Sequence, residues 1–291
     1  MRHVLPRSAA GETVMFGPNL IRPVVFVAML CASTAARAHD ESKYPDLTAQ
    51  WGRAHPRAQW DPGKPRGLQQ EAPLTPEYQA IFEANLAALR ASTHDVDPQV
   101  RCLPSGMPRM MIAYEPLEII VTAQTTYVRV DHLSETRRIY TDGRDWPAQV
   151  KPAFEGYSIG KWIDEDGDGK FDALEVETRH LKGPRFFDAD GLPMHKDNRT
   201  VIKERIYLDQ GNHDLLHAQI TTIDDALTRP WTVRRDYIRK HKPLWPEYLC
   251  NEANHHVIIG KERYFKSADG LLMPIRKGQP PPDLRYFAQS R

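Results

Sequence analysis

The most persistent pattern along the chain is a period of two. From Glu118 onward, apolar and polar residues alternate in short runs rich in β-branched and aromatic side chains: Glu118–Thr122, Thr126–Asp131, Thr136–Tyr140, Tyr157–Ile163, Phe171–Thr178, Thr200–Asp209, Leu215–Asp224, Trp231–Arg239 and Tyr248–Cys250. Such alternation puts every second side chain on one face, so each run predicts a half-buried strand. Turn residues separate the runs, as at Asp142-Gly143 and Gln210-Gly211-Asn212, and no strand alternates with a helix. The predicted sheet is therefore antiparallel. Consecutive strands must hide their edges, and an up-and-down barrel of calycin type does so most simply, with a two-sheet sandwich as the alternative.

Helical spacing occurs in one place. Thr75 can cap a helix, Pro76 suits its first position, and Tyr78, Phe82, Leu86 and Leu89 recur on one face, which predicts a helix over residues 75–92. Before it, residues 39–73 hold Pro45, Pro56, Pro62, Pro65 and Pro73 and read as an extended arm. Arg101 to Met111 carries two prolines and a glycine and reads as an irregular crossing, and Gly278 to Pro282 as a proline-rich strap. The expected organisation is a leader over 1–38, the arm, and one β domain over 74–291.

The leader rests on Pro23 to Ala36, an apolar stretch short for a bilayer span, with Arg2, Arg7 and Arg22 before it and Ala36-Arg37-Ala38 after it. Positive, then apolar, then small is the order of a cleavable signal peptide; a membrane anchor is the alternative, and Met15 is a second possible start. Cleavage after Ala38 removes four bases (Arg2, Arg7, Arg22, Arg37) and one acid (Glu12) from totals of 39 and 38. That leaves 35 against 37 and moves the formal charge from +1 to −2. A near-neutral chain argues against a nucleic-acid partner, and no second long apolar segment suggests stable membrane insertion of a periplasmic or secreted product. Only Cys102 and Cys250 then remain, which in an oxidising compartment predicts one disulfide, two free thiols being the alternative.

The densest chemistry is Asp164-Glu165-Asp166-Gly167-Asp168-Gly169-Lys170-Phe171-Asp172-Ala173-Leu174-Glu175. It matches the twelve-residue EF-hand loop. Asp164, Asp166 and Asp168 stand at positions 1, 3 and 5, Gly169 at the turn, the Lys170 carbonyl at 7, Asp172 at 9 and Glu175 at 12. Oxygens packed this closely repel one another without a cation, so calcium is the expected cofactor. The flanks read as strands rather than helices, which predicts a calcium-loaded hairpin over 157–178; a solvated acidic turn is the bland alternative. Asp188-Ala189-Asp190-Gly191 is a shorter acidic turn with too few ligands.

Elsewhere, Glu204 shares a face with Ile202, Ile206 and Leu208, so it is either an acid/base group in a cavity or half of a structural ion pair, with Arg138 as a candidate partner. His217 and Asp224 fall on opposite faces of their run, which disfavours a dyad within it, and His213 with His217 would form a zinc pair only on a helix. No nucleophile elbow, phosphate loop or Cys-x-x-Cys pair occurs.

Several segments resemble a family of uncharacterised exported bacterial proteins: Arg101 to Arg109, Arg138 to Arg144, Gly156 to Trp162, Thr221–Asp225, Arg229 to Val233, and Glu247 to Cys250. The resemblance implies export and a β fold, and no settled activity. In that family the hairpin after the tryptophan is usually short, so the acidic loop looks like a departure and takes no role from it. Two functional readings follow. One is a calcium-binding barrel holding a small apolar or aromatic molecule inside. The other is a cofactor-independent lyase, isomerase or hydrolase using Glu204 or Glu118 with Arg138 and Tyr140 in the same cavity.

Overall fold

In the computed structural model, the described residues are 40–283 except 57–58, 92–96, 113, 131, 133–134, 246–249, 251–255, 260–261 and 268–269. The segment expected to be a signal peptide, residues 1–38, lies outside them, as does the strand expected at Tyr248–Cys250 apart from Cys250.

Nine strands close a barrel: β1 (Ala49–Arg53), β2 (Leu117–Val121), β3 (Thr125–Val130), β4 (Glu135–Tyr140), β5 (Tyr157–Ile163), β6 (Ala173–Arg179), β7 (Val201–Leu208), β8 (Leu215–Ile223) and β9 (Trp231–Arg239). The fold is mainly β and the barrel mostly antiparallel, as the alternation predicts. Strict up-and-down order fails at one point: β4 and β5 run parallel, with Ile139 opposite Ser158 and Tyr140 opposite Ile159. Geometry requires this, because directions cannot alternate around a ring of nine without one repeat. Residues 141–156 supply the crossover that a parallel pair needs.

The ring closes through the segment that reads as an arm. β1 pairs with β2 at Ala49↔Ile119 and with β9 at Gly52↔Ile238. Five residues between prolines give little alternation, which is why β1 is absent from the strand pattern. Beyond the barrel, β10 (His256–Ile259), β11 (Glu262–Lys266) and β12 (Leu272–Pro274) form a separate antiparallel sheet. The strap is pinned to it: Gln279 Nε2 donates to the Arg263 carbonyl at 2.7 Å and Tyr264 Oη to that of Pro280 at 3.1 Å.

Inward positions follow the period of two. Ile119, Val128, Ile139, Leu174, Val176, Ile202, Ile206, Ile220 and Val233 are buried. The largest fully buried side chains include Trp51, Trp60, Arg137, Arg235 and Tyr237. The helix α1 (Pro76–Arg90), capped by Thr75, buries Tyr78 and Phe82. The crossing segment plugs the barrel with Met107, Met110, Met111 and Ile112, and Tyr237 Oη donates to the Met111 carbonyl at 2.7 Å. Arg235 Nη1 donates to the carbonyls of Gln59 at 3.0 Å and Trp60 at 2.8 Å, tying the segment before α1 to β9. Cys102 and Cys250 form a disulfide across 148 residues.

Candidate functional site

The acidic loop joins β5 to β6, with strands on both sides rather than helices. Its shape comes from short-range bonds: Asp164 accepts from Gly167 N at 2.8 Å and Gly169 N at 3.0 Å, Asp166 from Asp168 N at 3.1 Å, and Asp168 from Lys170 N at 2.8 Å. Gly167 and Gly169 take positive φ, +77° and +87°, which side chains rarely adopt. The hairpin is anchored where Phe171 N donates to the Lys43 carbonyl at 2.7 Å. The Phe171 ring packs 5.1 Å from Tyr44 and 6.1 Å from Trp162.

Carboxylate oxygens of Asp164, Asp166 and Asp172 lie within 4.8 Å of one another on the surface, an arrangement able to hold a metal ion. Asp168 and Glu175 are not in this triad. Glu175 is the third residue of β6, and the ladder sets it opposite Lys161 on β5 and Arg205 on β7, on the outer face. Arg205 Nη1 lies 3.9 Å from it, while Nη2 contacts Glu165 inside the loop. An EF-hand delivers its twelfth residue from a helix; here a strand claims it.

The predicted acid/base residues separate. Glu204 points inward, but its partner is Arg137 rather than Arg138. Arg137 Nη1 donates to Glu204 Oε1 at 3.0 Å, Nη2 to Glu204 Oε2 and to Thr178 Oγ1 (2.7 Å), and Nε to Ser158 Oγ at 3.0 Å. Side-chain exposure is 1% for Arg137 and 0% for Glu204. Alternation explains the correction, since on β4 Glu135, Arg137 and Ile139 face in while Arg138 is exposed. Glu118 faces out, with its carboxylate 3.3 Å from Arg129 across the β2–β3 ladder. Tyr140 stacks 4.9 Å from Tyr157 beneath the Arg144 guanidinium, 3.9 Å from its ring. Glu204 is thus enclosed in the barrel, while Glu118 and Arg138 face out and Tyr140 packs against Tyr157.

A cleft of about 650 Å³ adjoins the acidic loop. The loop and Tyr44 form one side, the β7–β8 turn another, and Arg205, Tyr207, His217 and Arg234 from the outer faces of β7, β8 and β9 line it. His217 has Nδ1 2.7 Å from Asp236 on β9 and Nε2 3.2 Å from Asp209. The hydrogen bond from His217 holds the Asp209 carboxyl below its usual range. A dyad within the β8 run is indeed absent, but the register pairs His217 with Asp236 on the next strand. Only strand pairing, which the chain alone does not display, could have revealed it. Asp224 keeps a turn role: Oδ1 accepts from His195 N at 2.8 Å and Ala226 N at 2.9 Å.

A second group able to hold a metal, His195, Asp197 and Asp225, is spanned by Arg199, whose Nε is 2.9 Å from Asp197 and whose Nη2 contacts Asp225. A guanidinium supplies the positive charge there. No family model matches the chain, and no curated protein or solved structure matches it significantly. The molecule is thus defined by its own geometry: a closed nine-stranded barrel, a fold that could enclose a ligand, with an acidic group that could bind a metal. No helix among the described residues is long and apolar enough to cross a membrane, and the disulfide points to an extracytoplasmic setting.

Proposed function

We propose that this protein is an exported calcium-binding β-barrel that acts as a binding module. The observation that carries the reading is the convergence of Asp164, Asp166 and Asp172 within a loop of EF-hand sequence. Three exposed carboxylates that close raise one another's energy, and a hard divalent cation relieves it. The cysteine pair and the leader-like N-terminus favour a compartment where calcium is plentiful, which suits a lone loop with Kd of about 10⁻⁴ to 10⁻³ M. The acid/base reading loses its main support, because both Glu204 oxygens are engaged by Arg137 away from solvent.

Thermal unfolding with calcium and with EGTA tests the proposal. Calcium at ten times its Kd raises stability by about 1.4 kcal/mol through mass action. A melting temperature unchanged by chelation counts against it.

A further inference from the structure

We infer that Arg53 and Arg235 form an anion site at one end of the barrel, which takes the carboxylate of a small organic acid with an apolar body. The inference rests on the binding-module reading above and names its ligand class; it does not depend on the calcium loop.

The first support is placement. Arg53 ends β1 directly opposite Tyr237 of β9, and Arg235 lies two residues from Tyr237 on the same inward face. Diagonal neighbours of this kind stand about 7–8 Å apart, so two long side chains there share one space.

The second support is charge without an acid. Arg109, Arg137 and Arg185, also buried, each meet a carboxylate: Asp97, Glu204 and Asp224. Arg235 is only 1% exposed, yet it meets carbonyls alone, those of Gln59 and Trp60. The two acids whose charge it feels are engaged elsewhere. Asp236 alternates to the outer face with His217 and Arg234, and Asp61 accepts from Gly63 N at 2.9 Å. Arg53 feels only Tyr114 and Tyr237. Burial lowers the pKa of both guanidiniums, and the Arg53 charge lowers that of Arg235 further. Removing two like charges from water without a counter-charge is costly, and a bound anion relieves that cost.

The third support is the set of free donors. Arg53 Nη1 and Arg235 Nε are both buried and both lack a hydrogen-bond partner. Two donors from two guanidiniums match the two oxygens of a carboxylate. A phosphate would bring more charge and more oxygens than these donors serve. The surroundings favour an apolar body: the crossing segment passes here, with the Met111 carbonyl at Tyr237 Oη and the Tyr114 ring 5.8 Å from the Arg53 guanidinium. Arg53 is half-buried and Tyr114 is 76% exposed, so a ligand approaches along that ring, with Arg235 behind.

The test is calorimetry of the purified protein in EGTA with hexanoate, octanoate, benzoate and phenylacetate, each beside its primary amide, and with inorganic phosphate as competitor. The expected result is that at least one acid binds and that its amide binds about tenfold more weakly or worse, because a neutral acceptor loses the charge that strengthens a guanidinium hydrogen bond. Arg235 also holds Gln59 and Trp60, so Arg53→Met carries the decision. It should weaken acid binding by a similar factor, yet melt at or above the wild-type temperature without ligand, since it removes a charge that nothing neutralises. A purely structural arginine would show the reverse, a lower melting temperature. That outcome, no heat with any acid, equal binding of acid and amide, binding that survives Arg53→Met, or displacement of the acid by phosphate overturns the inference. Titration with calcium alone decides the calcium reading, so the two fail separately.

Discussion

Arg137 meets both carboxylate oxygens of Glu204 inside the barrel, and Ser158 and Thr178 take up its other donors. Burying this pair is expensive, and breaking it is more so, because one charge is then left in an apolar interior. Glu204→Gln or Arg137→Met alone should each cost about 3–5 kcal/mol in urea unfolding. The double change Arg137→Met with Glu204→Leu should recover most of that loss. Equal losses for single and double variants would show that the pair is not the unit.

Asp188 gives a pH signature of opposite sign to the usual carboxylate. Burial, and then the neighbouring Asp190 charge, push its carboxyl up to about 6, although it accepts backbone bonds from Asp190 and Leu192. A raised folded value means that the native state binds the proton more tightly than the unfolded chain does. The penalty is present in full above pH 6 and is relieved as pH falls from about 6 to 4, by about 3 kcal/mol at most. Asp188→Asn should remove this dependence. Denaturant midpoints for both proteins at pH 7, 5.5 and 4 check it, and parallel curves would contradict the assignment.

Gly106 sits where the chain crosses the barrel end, with φ at +63° and its N–H donating to buried Glu135 at 2.8 Å. A Cβ there would stand 2.5 Å from the Phe154 carbonyl oxygen. Gly106→Ala should therefore lose about 1–3 kcal/mol from strain, before counting that clash. A melting temperature within error of wild type would contradict this account of the crossing.

The disulfide closes a loop of 148 residues. Chain entropy assigns such a loop up to roughly 4–5 kcal/mol, less whatever structure the unfolded chain retains. Replacing Cys102 and Cys250 together by serine should lower stability by a large part of that amount. It should also remove the sensitivity of the melting temperature to reductant.

How much of this was legible in the chain divides along physical lines. Period-two runs placed β2 to β9 within a residue or two, because burial on one face leaves its mark on the chain. β1 escaped because Ala49–Arg53 is held by its neighbours rather than by its own pattern. The parallel β4–β5 pair escaped for another reason: strand direction is a property of the closed ring. At the candidate site, the acidic loop was visible residue by residue, and Asp164, Asp166 and Asp172 do come together. The face of Glu175 follows from its alternation with Leu174 and Val176, but its contact with Arg205 was not visible, since that follows from β6 pairing with β7. Nor was the partner of Glu204, where a shift of one residue from Arg138 to Arg137 changes the face. His217 with Asp236 is likewise a relation between strands.

The central claim is that the loop after Ile163 binds calcium, and calorimetric titration of calcium into the metal-free protein tests it most directly. The account predicts one site with Kd of about 10⁻⁴ to 10⁻³ M, abolished in Asp164→Ala and in Asp172→Ala. No heat of binding in the wild-type protein at millimolar calcium, or binding that survives both substitutions, would contradict it.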